Sequence, residues 1–176
     1  AMNELSNHDH SRFLTRTNYM VGRVEHLGPE AANEYVNLAI MREAVVIQMT
    51  WVGAPTVYYG DEAGVCGFTD PDNRRTYPWG HENHELIAFH KEIIRIHKEH
   101  QALKTGSLHI LNGYLKVSGE DEYNILAYGR FEGNDRIAVI INNRSELAEV
   151  TVPVWMLEVP GKCRMKKLLY SYQDGY

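Results

Sequence analysis

GAPTVYYG (residues 53–60) is the stretch on which the predicted fold class depends. Gly53, with Pro55 two residues later, ends a long helix-forming segment. The β-branched and aromatic residues 56–59 then indicate a short strand, which Gly60 closes. A strand this short and apolar, with predicted helices on both sides, is typical of the buried parallel strands of α/β folds. We therefore expect a buried parallel strand over 56–59.

Predicted helices flank this strand on both sides. The upstream helix extends from Ala31 to about Val52, and its second half is apolar nearly all round, so we expect burial on more than one side. Residues 60–82 form a long loop rich in Gly, Asp, Pro and Asn, and loops of this length are usually functional or disordered. A second helix follows over 84–100. Its apolar stripe comprises Leu86, Phe89, Ile93, Ile96 and His97.

Short alternating strands replace the helices after Leu103. Turn-forming clusters separate these strands, a pattern typical of an antiparallel sheet or sandwich. The sequence therefore predicts two domains, 1–102 with helices and strand and 103–176 with strands alone. The expected strands are 107–111, 123–131, 136–142 and 148–154, with a further one over 166–172.

Composition argues against several classes of function. The chain has 176 residues and a formal net charge of −5 without a run of Lys or Arg, so we expect no nucleic-acid partner. The longest apolar stretch, 44–59, contains polar residues, and we expect no membrane partner. The first ten residues lack a signal-peptide pattern. The distant Cys66 and Cys163 favour free thiols in a reducing compartment, and we expect a cytoplasmic location.

The first candidate site is a cluster of ionisable residues near the start of the chain. In an extended segment His8 and His10 share one face while Asp9 points away, so both imidazoles could ligate a metal ion. A third ligand could come from His81, His84 or a loop carboxylate. Solvated loop residues and another kind of site are the alternatives. Because nine histidines make such a pair easy to find, we predict no metal site.

The second candidate is a group of carboxylates on predicted loops. In a barrel of alternating strands and helices, the strand-to-helix loops converge over one mouth, where catalytic groups collect. Turn formation is the alternative for two of them, since Asp-Pro-Asp-Asn is strong turn chemistry. The carboxylates are Asp9, Asp61, Glu62, Asp70 and Asp72.

Aromatic residues near these carboxylates could stack against sugar rings, although the strand tyrosines could equally be core residues. Asp70 and Arg74 are four residues apart. They could form an exposed ion pair of little energetic value, or a fork that binds a polyhydroxyl ligand. The aromatic residues are Tyr58, Tyr59, Phe68, Tyr77 and Trp79.

Three segments, in order, resemble conserved segments of the α-amylase family of retaining glycoside hydrolases (family 13). SNHD (6–9) with RFL (12–14) resembles the fourth conserved segment, and GAPTVYYGDE (53–62) resembles the segment around the eighth barrel strand. DPDNR (70–74) with YPW (77–79) looks like a loop of the neopullulanase, cyclomaltodextrinase and maltogenic-amylase group. The resemblance implies the C-terminal end of a (β/α)8 TIM barrel, with its last helices and eighth strand, followed by an incomplete antiparallel β-sandwich.

The resemblance also implies roles for four residues. Asp9 fits the third acid, which stabilises the transition state, and His8 fits the histidine that contacts the sugar in the cleaved subsite. Asp70 and Arg74 would hold glucose units on the non-reducing side of the cleavage point.

The family's nucleophile and general acid belong to earlier segments that do not occur in these 176 residues. Retaining hydrolysis needs both groups, about 5 Å apart. We therefore expect part of a hydrolase of α-1,4 or α-1,6 bonds in starch oligosaccharides, pullulan or cyclodextrins, inactive as this chain alone. The alternative is a non-catalytic module that binds α-glucan or completes a partner.

The resemblance leads to further expectations about partners. The ligand is an α-glucan oligosaccharide, and no cofactor is expected, while calcium in the parent enzyme stays open. Missing barrel neighbours would leave strand edges unpaired and apolar helix surface uncovered, so we expect self-association.

Overall fold

The structure, a computed structural model, describes residues 1–20, 22–117 and 124–170. Two units can be separated in it. The first comprises residues 1–49 and 53–94, and the second comprises 50–52 and 95–176. The domain limits expected from the sequence, 1–102 and 103–176, stay a prediction.

Two short parallel strands form the sheet of the first unit: β1 (Met2–Glu4) and β2 (Ala54–Thr56). Asn3 pairs with Pro55 in a parallel register. The parallel direction agrees with the prediction, and the crossover between the strands is helical. Among the described residues, β2 pairs with β1 alone. Pro55 has no N–H to donate, which suits a strand with a free edge.

The predicted strand over 56–59 is two residues too late. The chain turns after Thr56, since the N–H of Asp61 donates to the carbonyl of Tyr58 (3.1 Å). The carbonyl of Tyr59 accepts from the side chain of Arg12 (2.6 Å) instead of from a strand. The expected burial is also incomplete, because Ala54 and Val57 are exposed.

The helix predicted over 31–52 begins only at Leu38. The side-chain oxygen of Asn37 accepts the N–H groups of Ala39 (2.9 Å) and Ile40 (3.2 Å), which is the pattern of an N-cap. Tyr35 has a positive φ of 55°, which interrupts any earlier helix. The helices of this part of the chain are α1 (Phe13–Arg16), α2 (Val24–Leu27), α3 (Leu38–Thr50) and α4 (His84–Glu99).

The helix predicted over 84–100 is confirmed as α4. Asn83 caps the N-terminus of this helix, because its side-chain oxygen accepts the N–H of Leu86 (2.9 Å). Its predicted stripe is buried with the exception of His97, which is half-buried. The residues 60–82 form a long loop, as predicted, with 3₁₀ turns at Asp61–Ala63 and Asp72–Arg74. The buried stripe residues are Leu86, Phe89, Ile93 and Ile96.

The second unit contains two antiparallel sheets, ordered β3-β5-β6 and β4-β7. They share an apolar core that includes Leu111, Leu115, Ile125 and Leu157. Two sheets around one core agree with the sandwich expectation in outline. The elements are α5 (Gln101–Lys104), β3 (Ser107–Ile110), β4 (Lys116–Val117), β5 (Ile125–Glu132), β6 (Asp135–Asn142) and β7 (Val150–Thr151).

Two of the predicted strands differ from the structure. The strand expected over 148–154 shrinks to β7, because Pro153 cannot continue a hydrogen-bonded ladder and a 3₁₀ turn follows at Val154–Leu157. No strand forms over 166–170, where the chain is largely exposed, and residues 171–172 lie outside the described part. The predicted start of the 123–131 strand also lies outside it.

The helices of the described ranges can be compared with the thickness of a bilayer. None of the helices there combines the length and the apolar character that crossing a bilayer would require.

Candidate functional site

His8 and Asp9 lie on an exposed loop that follows β1. The side-chain oxygen of Asn7 accepts the N–H groups of Asp9 (2.9 Å) and His10 (3.1 Å), which bends the loop. The Nε2 atom of His8 lies 3.4 Å from Oδ1 of Asp9, and the two side chains are 64% and 68% exposed. The segment is therefore not extended with Asp9 turned away, and both side chains are accessible to a ligand.

Asp70 and Arg74 lie on a second loop, where Nε of Arg74 donates to Oδ1 of Asp70. Both side chains are about half-exposed. The neighbouring Asp72 accepts the N–H of Phe68 (2.7 Å) and two bonds from Arg75 (2.9 and 2.8 Å). Asp72 therefore holds the loop together, as the turn interpretation predicts, and leaves Asp70 and Arg74 accessible.

Asn73 connects these two loops. Its side chain is fully buried, and its Nδ2 donates to the carbonyls of Asn7 (3.2 Å) and His10 (2.7 Å). These two carbonyls stand on either side of His8 and Asp9. One amide group in the Asp70–Arg74 loop thus fixes the backbone on both sides of the His8–Asp9 pair.

Arg12 is a second buried connection between loops. Its Nε donates to the carbonyl of Asn73 (2.8 Å), and its Nη1 donates to the carbonyl of Tyr59 (2.6 Å) and to Oδ1 of Asp61 (3.0 Å). Its guanidinium carbon lies 4.1 Å from the ring centroid of Tyr58, a cation–π distance. The side chain is 0% exposed.

The main chain of Arg12 fixes a further segment, since its N–H donates to the carbonyl of Gly67 (2.9 Å). A Cβ atom at Gly67 would lie 2.5 Å from the carbonyl oxygen of Asp72, so glycine allows this close approach. Three stretches of chain, around 59–61, 67 and 73, therefore converge on one arginine.

Asp61 is a structural partner of Arg12 and not an accessible carboxylate. It is 4% exposed, and its burial raises the pKa of the carboxyl group, an effect opposed by Ser6 and by the charge of Arg12. Glu62 is half-buried beside it. Of the five candidate carboxylates, the structure leaves Asp9 and Asp70 accessible on the two connected loops.

The aromatic residues near the site divide into three kinds. Phe68 is buried and belongs to the core, so it cannot stack on a sugar. Tyr58 and Tyr59 contact each other edge to face, with centroids 4.8 Å apart, beside Arg12. Trp79 is highly exposed and packs against Tyr77, with centroids 4.5 Å apart. Trp79 and, to a smaller extent, Tyr59, which is 42% exposed, are therefore the aromatic candidates with accessible surface.

The histidines give no support to the metal hypothesis. In the ranges 1–20, 22–117 and 124–170, no three His, Cys, Asp or Glu side chains are grouped so that they could hold a metal ion. His90 is buried, and Nδ1 lies 2.8 Å from the carbonyl of Leu86. Burial lowers the pKa of His90, as expected for an imidazole packed in a core.

Sequence reasoning missed the roles of Arg12 and Asn73. Both residues stand inside the motifs that carry the family resemblance, but neither a lone Arg before Phe-Leu nor an Asn in a turn shows by itself that the side chain is buried. The partners of Asn73 are more than 60 residues away in sequence, and no local pattern contains that information.

Comparisons with known proteins give the family of the chain. No family model matches the chain. The chain is 38% identical to an amylopullulanase of Thermoanaerobacter thermohydrosulfuricus, over 99% of this chain. It is 36% identical to a cyclomaltodextrinase of Thermoanaerobacter pseudethanolicus, over 96% of this chain. The chain belongs to the α-amylase family.

A solved structure of this α-amylase family, a cyclomaltodextrinase, has a TM-score of 0.61 and 30% identity to the chain. The match covers 81% of this chain and 21% of that structure. The chain spans 12% of the length of the amylopullulanase and 25% of the cyclomaltodextrinase. Family membership thus applies to a segment that is a minor share of each relative.

Proposed function

We propose that this chain supplies part of the sugar-binding site of a retaining α-glucan hydrolase. In this role Asp9 stabilises the transition state, His8 contacts the sugar at the cleaved bond, and Asp70 with Arg74 binds glucose units on the non-reducing side. The substrates are α-1,4- or α-1,6-linked glucans such as starch oligosaccharides, pullulan or cyclodextrins. The site uses hydrogen bonds and charge alone and needs no cofactor.

The observation that carries the proposal is the double hydrogen bond of Asn73 to the carbonyls of Asn7 and His10. It joins the loop of His8 and Asp9 to the loop of Asp70 and Arg74 within one unit. Four accessible polar side chains on two mutually fixed loops suit a ligand with many hydroxyl groups. Because the loops are fixed before binding, little conformational entropy is lost when a glucan binds.

The same residues bind without cleaving. Retaining hydrolysis requires one carboxylate that attacks the anomeric carbon and one acid that protonates the leaving oxygen, about 5–5.5 Å apart. Asp9 is one carboxylate and cannot perform both tasks. Its contribution is to bind hydroxyl groups of the distorted ring more tightly in the transition state than in the ground state. The chain alone therefore binds α-glucans and leaves them intact.

Two measurements test this function together. Purified chain is incubated with cyclodextrin, pullulan and starch, and new reducing ends are measured; we expect none. Binding of maltooligosaccharides is then measured by calorimetry, with millimolar affinity expected and a loss of at least tenfold in Asp70→Ala. Clear turnover contradicts the inactivity of the chain, and binding unaffected by Asp70→Ala contradicts the assigned site.

Self-association is a further part of this proposal. β2 pairs with a single strand among the described residues, and Met2 in β1 and Val57 directly after β2 are exposed. A free strand edge with apolar neighbours is a contact surface for a second copy. Light scattering at rising concentration should show dimers or larger species, and Val57→Lys should shift them toward monomer. A monomer at every concentration would contradict it.

A further inference from the structure

The second unit exposes two aromatic side chains that the proposed function does not use. Tyr114 and Trp155 are 61% and 67% exposed. Their ring centroids are 6.3 Å apart, and the ring planes meet at 74°. Large aromatic side chains gain stability from burial, so a contacting pair left in solvent is typical of a binding surface.

The turn that carries Tyr114 is fixed to the sheet. The side-chain Nδ2 of Asn112 donates to the carbonyl of Ile125 (2.6 Å), and its Oδ1 accepts the N–H of Ala127 (2.9 Å). Leu115, directly after Tyr114, is buried in the core of the unit. Tyr114 is therefore held in position at the surface and not carried by a loose loop.

The turn that carries Trp155 is anchored with equal firmness. Leu157 is fully buried, and its carbonyl accepts Nε of Arg136 (2.7 Å). A Cβ atom at Gly129 would lie 2.1 Å from a methyl carbon of Leu157, so only glycine in β5 lets this turn pack so closely. Both aromatic rings thus stand on rigid turns and lose little entropy when a ligand binds.

We propose that Tyr114 and Trp155 form a surface site for an α-glucan chain. The class of sugar rests on the proposed function; the site itself rests on the two rings. The C–H face of a glucose ring is apolar and stacks on an aromatic ring. A straight glucan would need coplanar rings, whereas rings at 74° suit a chain that curves from one glucose to the next, as α-1,4-linked glucose does.

The approach to Tyr114 is open. A Cβ atom added at the neighbouring Gly113 would meet no atom within 4 Å. Stacking on two rings with few hydrogen bonds gives weak binding to a single short oligosaccharide. The site would therefore act best on long chains, by holding a polymer near the protein while other segments of it reach the loops of the first unit.

The test is native electrophoresis of the whole chain in gels that contain amylose, with hydroxyethylcellulose gels as the polymer control. Trp155→Ala and Tyr114→Ala are each made in the Asp70→Ala background, which removes the first proposed site. Leu147→Ala, at another highly exposed apolar side chain, is the matched control. Trp155→Phe keeps a ring and should keep at least half of the retardation.

We expect amylose to retard the Asp70→Ala chain, and Trp155→Ala to raise the apparent dissociation constant at least fivefold in that background. Retardation of the Asp70→Ala chain that Trp155→Ala leaves unchanged overturns the surface site, whereas the loop site is tested by the difference between the unsubstituted chain and Asp70→Ala. Retardation that depends on Trp155 but not on Asp70 supports the surface site and contradicts the proposed function instead. If Trp155→Ala changes the mass in light scattering but not amylose binding, the pair is a contact between copies and this proposal is wrong.

Discussion

Each of the two units contains a fully buried arginine, and the two arginines have different surroundings. In the first unit Arg12 pairs with the buried carboxylate of Asp61 and holds loop carbonyls. In the second unit Arg130 donates to the carbonyls of Thr50 and Gly106 (2.8 Å each), within a unit built on an apolar core. The first unit thus fixes long loops by buried charge, and the second derives its order from packed side chains. The 60–82 loop also buries Val65, Cys66 and Phe68, so the polar bonds of Arg12 add to apolar packing there.

Among the variants that test this difference between the units, Arg12→Ala should have the largest effect on stability. It leaves Asp61 buried without its cation and frees three loop segments, so we expect a loss of about 3–5 kcal/mol in the free energy of unfolding. Urea unfolding measures it. Binding of maltotriose, which is too short for the surface pair, should be lost as well.

The double variant Arg12→Met with Asp61→Leu separates the two consequences. Removing both charges should restore most of the stability, because a buried ion pair often contributes little net free energy over an apolar pair. The loop carbonyls stay without their donor, so binding should not return. Recovery of binding in the double variant would show that the arginine does not position the site.

Leu157→Ala tests the second unit at its apolar core and should cost about 2–5 kcal/mol through lost burial and the cavity left behind. Because Leu157 and the core residues around it belong to the second unit, we expect calorimetric binding of maltotriose, which is short for the surface pair, to stay within twofold for the folded protein. A tenfold loss of maltotriose binding in folded protein would contradict the separate roles of the two units.

Asn73→Ala should have a smaller effect on stability and a larger one on binding. Two hydrogen bonds to partly buried loop carbonyls are lost, which costs about 1–3 kcal/mol. The His8–Asp9 loop then loses its fixed position, and affinity for maltoheptaose should fall about tenfold. Asn83→Ala, which removes a helix cap by a similar change, is the control and should leave the affinity unchanged.

The smallest predicted effect is on the pH dependence of stability, in which the two units also differ. Burial raises the pKa of Asp61. In Asp135 burial acts in the same direction, but hydrogen bonds from the N–H of Ala102 and from His100 outweigh it and lower the pKa. A lowered carboxyl pKa stabilises the fold above the unfolded value, near 4, and that stability is lost as the pH falls through the lower folded value.

Asp135→Asn should therefore cost stability at pH 7 and cost less as the pH falls below about 4, because the stability that the lowered pKa of the wild-type carboxyl contributes is progressively lost there. Urea unfolding at several pH values measures this difference. A cost for Asp135→Asn that is the same at pH 7 and pH 3 would mean that the charge of Asp135 does not contribute.

Sequence patterns predicted the elements with strong local signals. The stripe of α4 and the strands β5 and β6 follow from periodicity and turn residues, and the parallel direction of β2 follows from its apolar run between helices. The start of α3 was missed because its signal is a single cap, Asn37, within a segment of good helix formers. Local pattern also placed β2 too late, because a distant side chain, Arg12, takes the carbonyl of Tyr59.

Of the candidate site, the family resemblance named the residues, but nothing in the sequence showed what holds them. The resemblance named His8, Asp9, Asp70 and Arg74, and the structure leaves all four accessible. Their roles stay a prediction. The connections through Arg12 and Asn73 span 47 to 66 positions of sequence, and such contacts have no periodic or spacing signature.

The central claim is that two loops joined by Asn73 form an α-glucan site in this chain. The most direct measurement is calorimetric titration with maltoheptaose in the Trp155→Ala background, which removes the surface pair, before and after Asp70→Ala. The account predicts millimolar binding that Asp70→Ala weakens at least tenfold, with no release of reducing ends. Absence of binding before Asp70→Ala, or binding that Asp70→Ala does not change, would contradict it.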